Sequence, residues 1–109
     1  MQRISAIIMS AVLAAAATNA QAAGNPAAGK EKAQTCAECH GERGNTSNSM
    51  YPKLAGQHES YLLQSMKDYQ TGDRDNQIMA GMISNMSEQD LADLAAYFAR
   101  QDGLRKVNP

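Results

Sequence analysis

The sequence has no tryptophan, one phenylalanine and four tyrosines among its 109 residues, so its own side chains offer little bulk for a core. Cysteine is confined to Cys36 and Cys39, and histidine to His40 and His58. A zinc site on the cysteine pair needs a second pair of ligands, which His58 alone does not supply. No run of lysine or arginine occurs and the formal net charge is −1, which argues against nucleic acid or an anionic membrane surface as partner. Nothing reads as a strand, so the cysteine pair lacks the βαβ setting of a thioredoxin-like dithiol. A disulfide between residues three apart closes too small a loop to stabilise much.

The cysteines belong instead to Cys36-Ala37-Glu38-Cys39-His40. On one turn of helix, residues i, i+3 and i+4 share a face. Each thiol can then add across a porphyrin vinyl group, while His40 turns its imidazole to the iron. The appended histidine makes this the spacing of covalent haem attachment. A haem would also supply the large apolar centre that the side chains lack, which matters in so small a domain.

The first residues carry a separate signal. Gln2-Arg3 is a short positive region, Ile4 to Ala17 is apolar, and Ala20-Gln21-Ala22 has the small-x-small pattern of a cleavage site. The apolar run is shorter than the ~20 residues of a spanning helix. Residues 1–22 are therefore expected to be a cleaved signal peptide and 23–109 a single domain. Loss of Arg3 makes the remaining chain one unit more negative. Export fits the chemistry of thioether attachment, and the expected location is the periplasm, with no stable membrane insertion after cleavage.

Residues 23–109 read as all-α, with about four short helices around one haem. Gly24-Asn25-Pro26 predicts the start of a first helix that runs on into the haem motif. Gly29 and Ala33 give it a flat strip where another helix could approach. Gly41 to Ser49 has no apolar periodicity and predicts a loop, and Tyr51 to Gln57 a compact, mostly extended segment. There the Pro52 carbonyl is a candidate to accept a hydrogen bond from His40, and Leu54 a candidate to lie against the porphyrin. Leu62, Met66 and Tyr69 predict a helix over about 58–71, closed by Gly72. Gln77 to Ile83 predicts a short helical piece. Ser87 predicts the N-cap of a last helix with Leu91, Leu94, Ala95 and Phe98 inward and Gly103 at its end, followed by a frayed tail from Leu104. Leu94 and Tyr97 are expected to close over Gly29 and Ala33. Asp73, Asp75, Glu88, Asp90 and Asp93 read as solvated acids or a docking face.

An iron held by His40 has one axial position left. Met50, Met66, Met79, Met82, Met86 and His58 are the candidates. Packing accounts for Met50 and Met66, a hydrophobic staple for Met86, and solvent for His58. Met79 and Met82 remain, and spacing barely separates them.

Taken together, Cys-Ala-Glu-Cys-His-Gly at 36–41, Tyr-Pro-Lys-Leu-Ala-Gly-Gln at 51–57, Tyr61-Leu62, Gly-Asp-Arg at 72–74, Met-Ala-Gly-Met at 79–82 and the run from Ser87 to Phe98 resemble the class I c-type cytochromes. The likeness covers nearly all of 23–109 and is strongest to one domain of the tandem two-haem periplasmic type. It implies thioethers at Cys36 and Cys39, His40 as proximal ligand, Pro52 as its orienting carbonyl, and a methionine ligand eight residues before the last helix's serine, at Met79, with Met82 as runner-up. It also implies a crossing of first and last helices through Gly29 and Tyr97. The chain has one haem motif where tandem members have two, so a free-standing monohaem domain is expected.

With sulfur and imidazole on the iron, no site is open to substrate. The expectation is a one-electron carrier between larger redox proteins of the cell envelope, monomeric or weakly dimeric, and not an enzyme. Three rivals stay open: a haem subunit of an oxidoreductase complex, a haem protein with an open sixth site for gas sensing or peroxidase-like chemistry, and a redox thiol protein without haem.

Overall fold

The computed structural model describes residues 23–104; the expected signal peptide, 1–22, and the tail beyond Leu104 lie outside the described residues. Five α-helices follow one another among those described: α1 (Pro26–Lys32), α2 (Gln34–His40), α3 (Glu59–Thr71), α4 (Gln77–Ile83) and α5 (Glu88–Ala99). A 3-10 turn, Glu42–Gly44, sits in the loop after α2. The architecture is the small all-α fold expected.

α1 begins where Asn25 caps it, its side-chain oxygen accepting from the Ala27 and Ala28 N–H groups, with Pro26 in the first turn. The single helix expected to run into the haem motif is divided at Ala33, where ψ flattens to −9°. Helical hydrogen bonding still bridges the break, with Ala33 N–H donating to Gly29 O and Ala37 N–H to Ala33 O. Ala33 is buried against Leu94 and Phe98, so the break falls where the chain leaves the α5 crossing and enters the motif.

α3 starts after His58 and ends at Gly72, whose φ of 83° is the left-handed stop the sequence predicts. α4 is capped by Asn76, which accepts from the Met79 N–H. The far end of α4 is held by Gln70, whose amide donates to Ile83 O and Met86 O. Ser87 and Asp90 close a reciprocal capping box at the start of α5. α5 stops at Ala99 rather than at Gly103, because Arg100 caps it: its N–H donates to Tyr97 O and its guanidinium to Ala96 O. Gly103 serves a different contact. Leu104, expected to fray, donates its N–H to Ala55 O at 2.8 Å.

The core is small-grained. Leu62, Leu94, Ala95, Phe98 and Ala99 form one cluster with Ala33, and Leu91 of α5 is fully buried as well. α1 crosses α5 at Gly29, where a Cβ would lie 2.0 Å from Asp93 O and 2.8 Å from Tyr97 Cβ. Only a residue without a side chain allows that approach. Tyr97 thus meets Gly29 as expected, while Leu94 packs in the cluster with Ala33.

Asp93 corrects the reading of the acids as a solvated face. It is 3% exposed, and one carboxylate oxygen accepts from the Asn25 N–H and the Gln89 amide, both at 2.8 Å. The other accepts from the Lys32 ammonium at 2.6 Å. Asp90 holds the same ammonium at 2.9 Å. A buried carboxylate requires such partners, and α1 and its N-cap supply two of them. Glu88 pairs with Lys67 on α3, whereas Asp73 and Asp75 are exposed.

Candidate haem centre

The last turns of α2 set the motif in place. Cys36 and Cys39 are half-buried free thiols, and Cys36 packs against the cluster of Ala33, Leu62 and Leu94. Burial pushes the Cys36 thiol up from its ordinary value. His40 ends the helix and is 7% exposed. Its Nδ1 lies 2.9 Å from Pro52 O. A carbonyl only accepts, so Nδ1 carries a proton, and in the neutral imidazole Nε2 then keeps its lone pair. The edge of Tyr51 faces the same imidazole, with ring centroids 6.3 Å apart at 63°.

Pro52 owes its position to the loop around it. Gly44 O accepts from both the Leu54 and Ala55 N–H groups, at 2.9 and 3.2 Å. Leu54 is half-buried against the core cluster that Cys36 also joins. Leu54 and Cys36 thus border the same apolar cluster.

The six candidates for the remaining axial position separate by burial. Met50 is 83% exposed, Met82 is 42% exposed and His58 is exposed. Met66 and Met86 pack against the core. Met79 is half-buried on α4 and lies near His40. No group of three His, Cys, Asp or Glu residues capable of holding a bare metal ion occurs among the described residues. The donor set is instead one imidazole nitrogen with a free lone pair, two thiols on the same helix and a nearby thioether, which fits an iron porphyrin.

The sequence reading missed Tyr51 as a neighbour of the histidine and Asp93 as a structural anchor. Adjacency to Pro52 was the only signal for Tyr51; a linear pattern carries none for Asp93.

The Cytochrome c family model matches residues 26–101. The chain belongs to the cytochrome c family. This cytochrome c domain is 54% identical over 82 residues to cytochrome c4 of Pseudomonas aeruginosa, covering 75% of this chain and 41% of the relative. It is 41% identical over 83 residues to cytochrome c-554(548) of Halomonas halodenitrificans, covering 73% of this chain and 100% of that protein. Its fold superposes on reduced cytochrome c4 from Pseudomonas stutzeri with a TM-score of 0.71 at 42% identity, covering 75% of this chain and 48% of that one. The chain spans about two fifths of the length of the cytochromes c4 it resembles, matching one domain of a two-domain class I c-type cytochrome. As a cytochrome c domain it carries the haem c attachment motif, with Cys36 and Cys39 spaced for it. No helix among the described residues is long and apolar enough to cross a membrane.

Proposed function

We propose that the chain is a periplasmic monohaem c-type cytochrome that carries one electron at a time between larger redox proteins. Haem c supplies the one-electron couple when bound. Cys36 and Cys39 would hold it by thioethers, and His40 through Nε2 and Met79 through its sulfur would hold the iron. Met82, three residues on, is the alternative sulfur. The observation that carries the reading is the His40–Pro52 hydrogen bond at 2.9 Å, which presents Nε2 as a ligand, with a half-buried methionine near it. With His40 and Met79 both given to the iron, no position would remain for substrate, which suits a carrier rather than an enzyme. Partners would meet the domain briefly, as small redox interfaces do. The apolar run and cleavage pattern at 1–22 support export. Similarity to the cytochromes c4 and to cytochrome c-554(548) supports electron transfer as the role.

The test is an optical spectrum of the periplasmically expressed protein, oxidised and reduced, with and without carbon monoxide, on wild type, Met79→Ala and Met82→Ala. The expected result is a sulfur-to-iron band in oxidised wild type and no reaction with carbon monoxide, both altered only by Met79→Ala. Ready binding of carbon monoxide by wild type would replace the carrier with a sensor or catalyst.

A further inference from the structure

The loop from α2 to α3 leaves along Gly41–Asn45, returns along Pro52–Gly56, and is gripped on both arms by the end of α5 and the segment after it. On the outgoing arm, the Asn45 amide donates to Asp102 O at 2.8 Å. On the returning arm, Leu104 N–H donates to Ala55 O at 2.8 Å, and Gly56 N–H donates to Phe98 O at 2.9 Å. Gly103 sits between the two. A Cβ there would lie 2.6 Å from Ala55 Cβ and O, and 2.9 Å from Asn45 Oδ1. Gly44 O then ties one arm to the other through the Leu54 and Ala55 N–H groups. Pro52 has no N–H of its own and is exposed. Its carbonyl therefore stands where this clamp puts its neighbours.

We infer that Asn45 and Gly103 are positioning residues for the axial histidine: by clamping the loop they set the strength of the His40–Pro52 hydrogen bond, and through it the reduction potential of the bound haem. The inference rests on the carrier reading and its assignment of His40 to the iron. A short, straight Nδ1–H···O bond makes the imidazole a more basic ligand, which favours the ferric state. Hydrogen bonds weaken steeply with lost distance or angle. Loosening the clamp thus weakens the bond, makes His40 a poorer donor to iron and raises the potential. The hydrogen bond of His40 goes to Pro52 and that of the Asn45 amide to Asp102, so a role confined to stability would lower the melting temperature and leave the potential alone.

The experiment compares wild-type holoprotein with Asn45→Ala, Gly103→Ala and Lys67→Met, the last removing the Lys67–Glu88 pair. Three quantities are read: potential by redox titration, solvent exchange of the His40 Nδ1 proton by NMR, and melting temperature. The expected result is a raised potential with faster Nδ1 exchange in Asn45→Ala and Gly103→Ala, and neither change in Lys67→Met. Asn45 is exposed, so Asn45→Ala is read even if Gly103→Ala fails to fold. A wild-type potential and exchange rate in Asn45→Ala overturn the inference, whatever the melting temperature does. Wild type without a six-coordinate haem overturns the carrier reading itself, and is recognised before any variant is made.

Discussion

Gly29 lies directly against the main chain of Asp93, with room for a hydrogen and no room for a methyl group. The clash at 2.0 Å is with a carbonyl oxygen in the middle of a helix, which cannot swing aside as a side-chain tip can. Gly29→Ala must push α1 off α5. The expected loss is about 3 kcal/mol or more, and a melting temperature lower by at least ~10 °C for a domain this size. Thermal unfolding of the holoprotein measures it, and an unchanged midpoint would mean the two helices do not cross at this residue.

The charges beside that contact make it pH-dependent in a defined window. Hydrogen bonds from Lys32 and Ser87 lower the Asp90 carboxyl from 3.8 to about 2. The Asn25 N–H and then Lys32 lower Asp93. Asp90 and Asp93 in turn raise Lys32 above 10.5. Carboxylates with lowered folded values add stability above their unfolded value and lose it as pH falls through the folded one. A lysine with a raised folded value adds stability below its unfolded value and loses it as pH rises through the folded one. The difference in melting temperature between wild type and Lys32→Met should therefore be flat between roughly pH 5 and 9 and shrink on the acid side toward about pH 2. A difference that peaks near pH 7 would assign the effect to some other group.

Methionine oxidation should follow burial. Dilute peroxide is expected to convert Met50, 83% exposed, and Met82, 42% exposed, before half-buried Met79. Peptide mass spectrometry gives the order. The visible spectrum should hold while Met50 and Met82 react and change when Met79 does.

Without haem the chain should not hold its native packing. Leu91 and Leu94 are the largest fully buried side chains, and alanines fill most of the remaining core. A chain of residues 23–109 made without haem attachment is expected to keep part of its helical far-ultraviolet signal while losing a cooperative thermal transition. A sharp transition in that material would show a core sufficient by itself.

What the sequence made legible was whatever is periodic or local. The 36–40 motif, the helix start at Gly24-Asn25-Pro26, Ser87 as a cap, Gly72 as a stop and the inward face of Leu91, Leu94, Ala95 and Phe98 all depend on near neighbours, and all are where the pattern places them. The misreadings concern residues whose partners are remote. Asp93 looked solvated because its Asn25 and Lys32 partners are 68 and 61 positions away. Gly103 looked like a helix stop because its reason, Ala55, lies on another segment. The break at Ala33 has no local cause either, since alanine is a good helix former; only its burial against α5 marks it.

The seam between α1 and α5 also has a topological meaning. The Asn25–Asp93 bond spans 68 positions, so it closes the domain into a ring, with both cysteines and the histidine inside the closed stretch. Such a closure is formed once, at a loop-entropy cost that grows only slowly with ring size. Opening it frees the helix that leads straight into the haem motif. Amide protons of α1 should therefore exchange only when the whole domain unfolds, and a segment at the edge of the fold would be among its most protected.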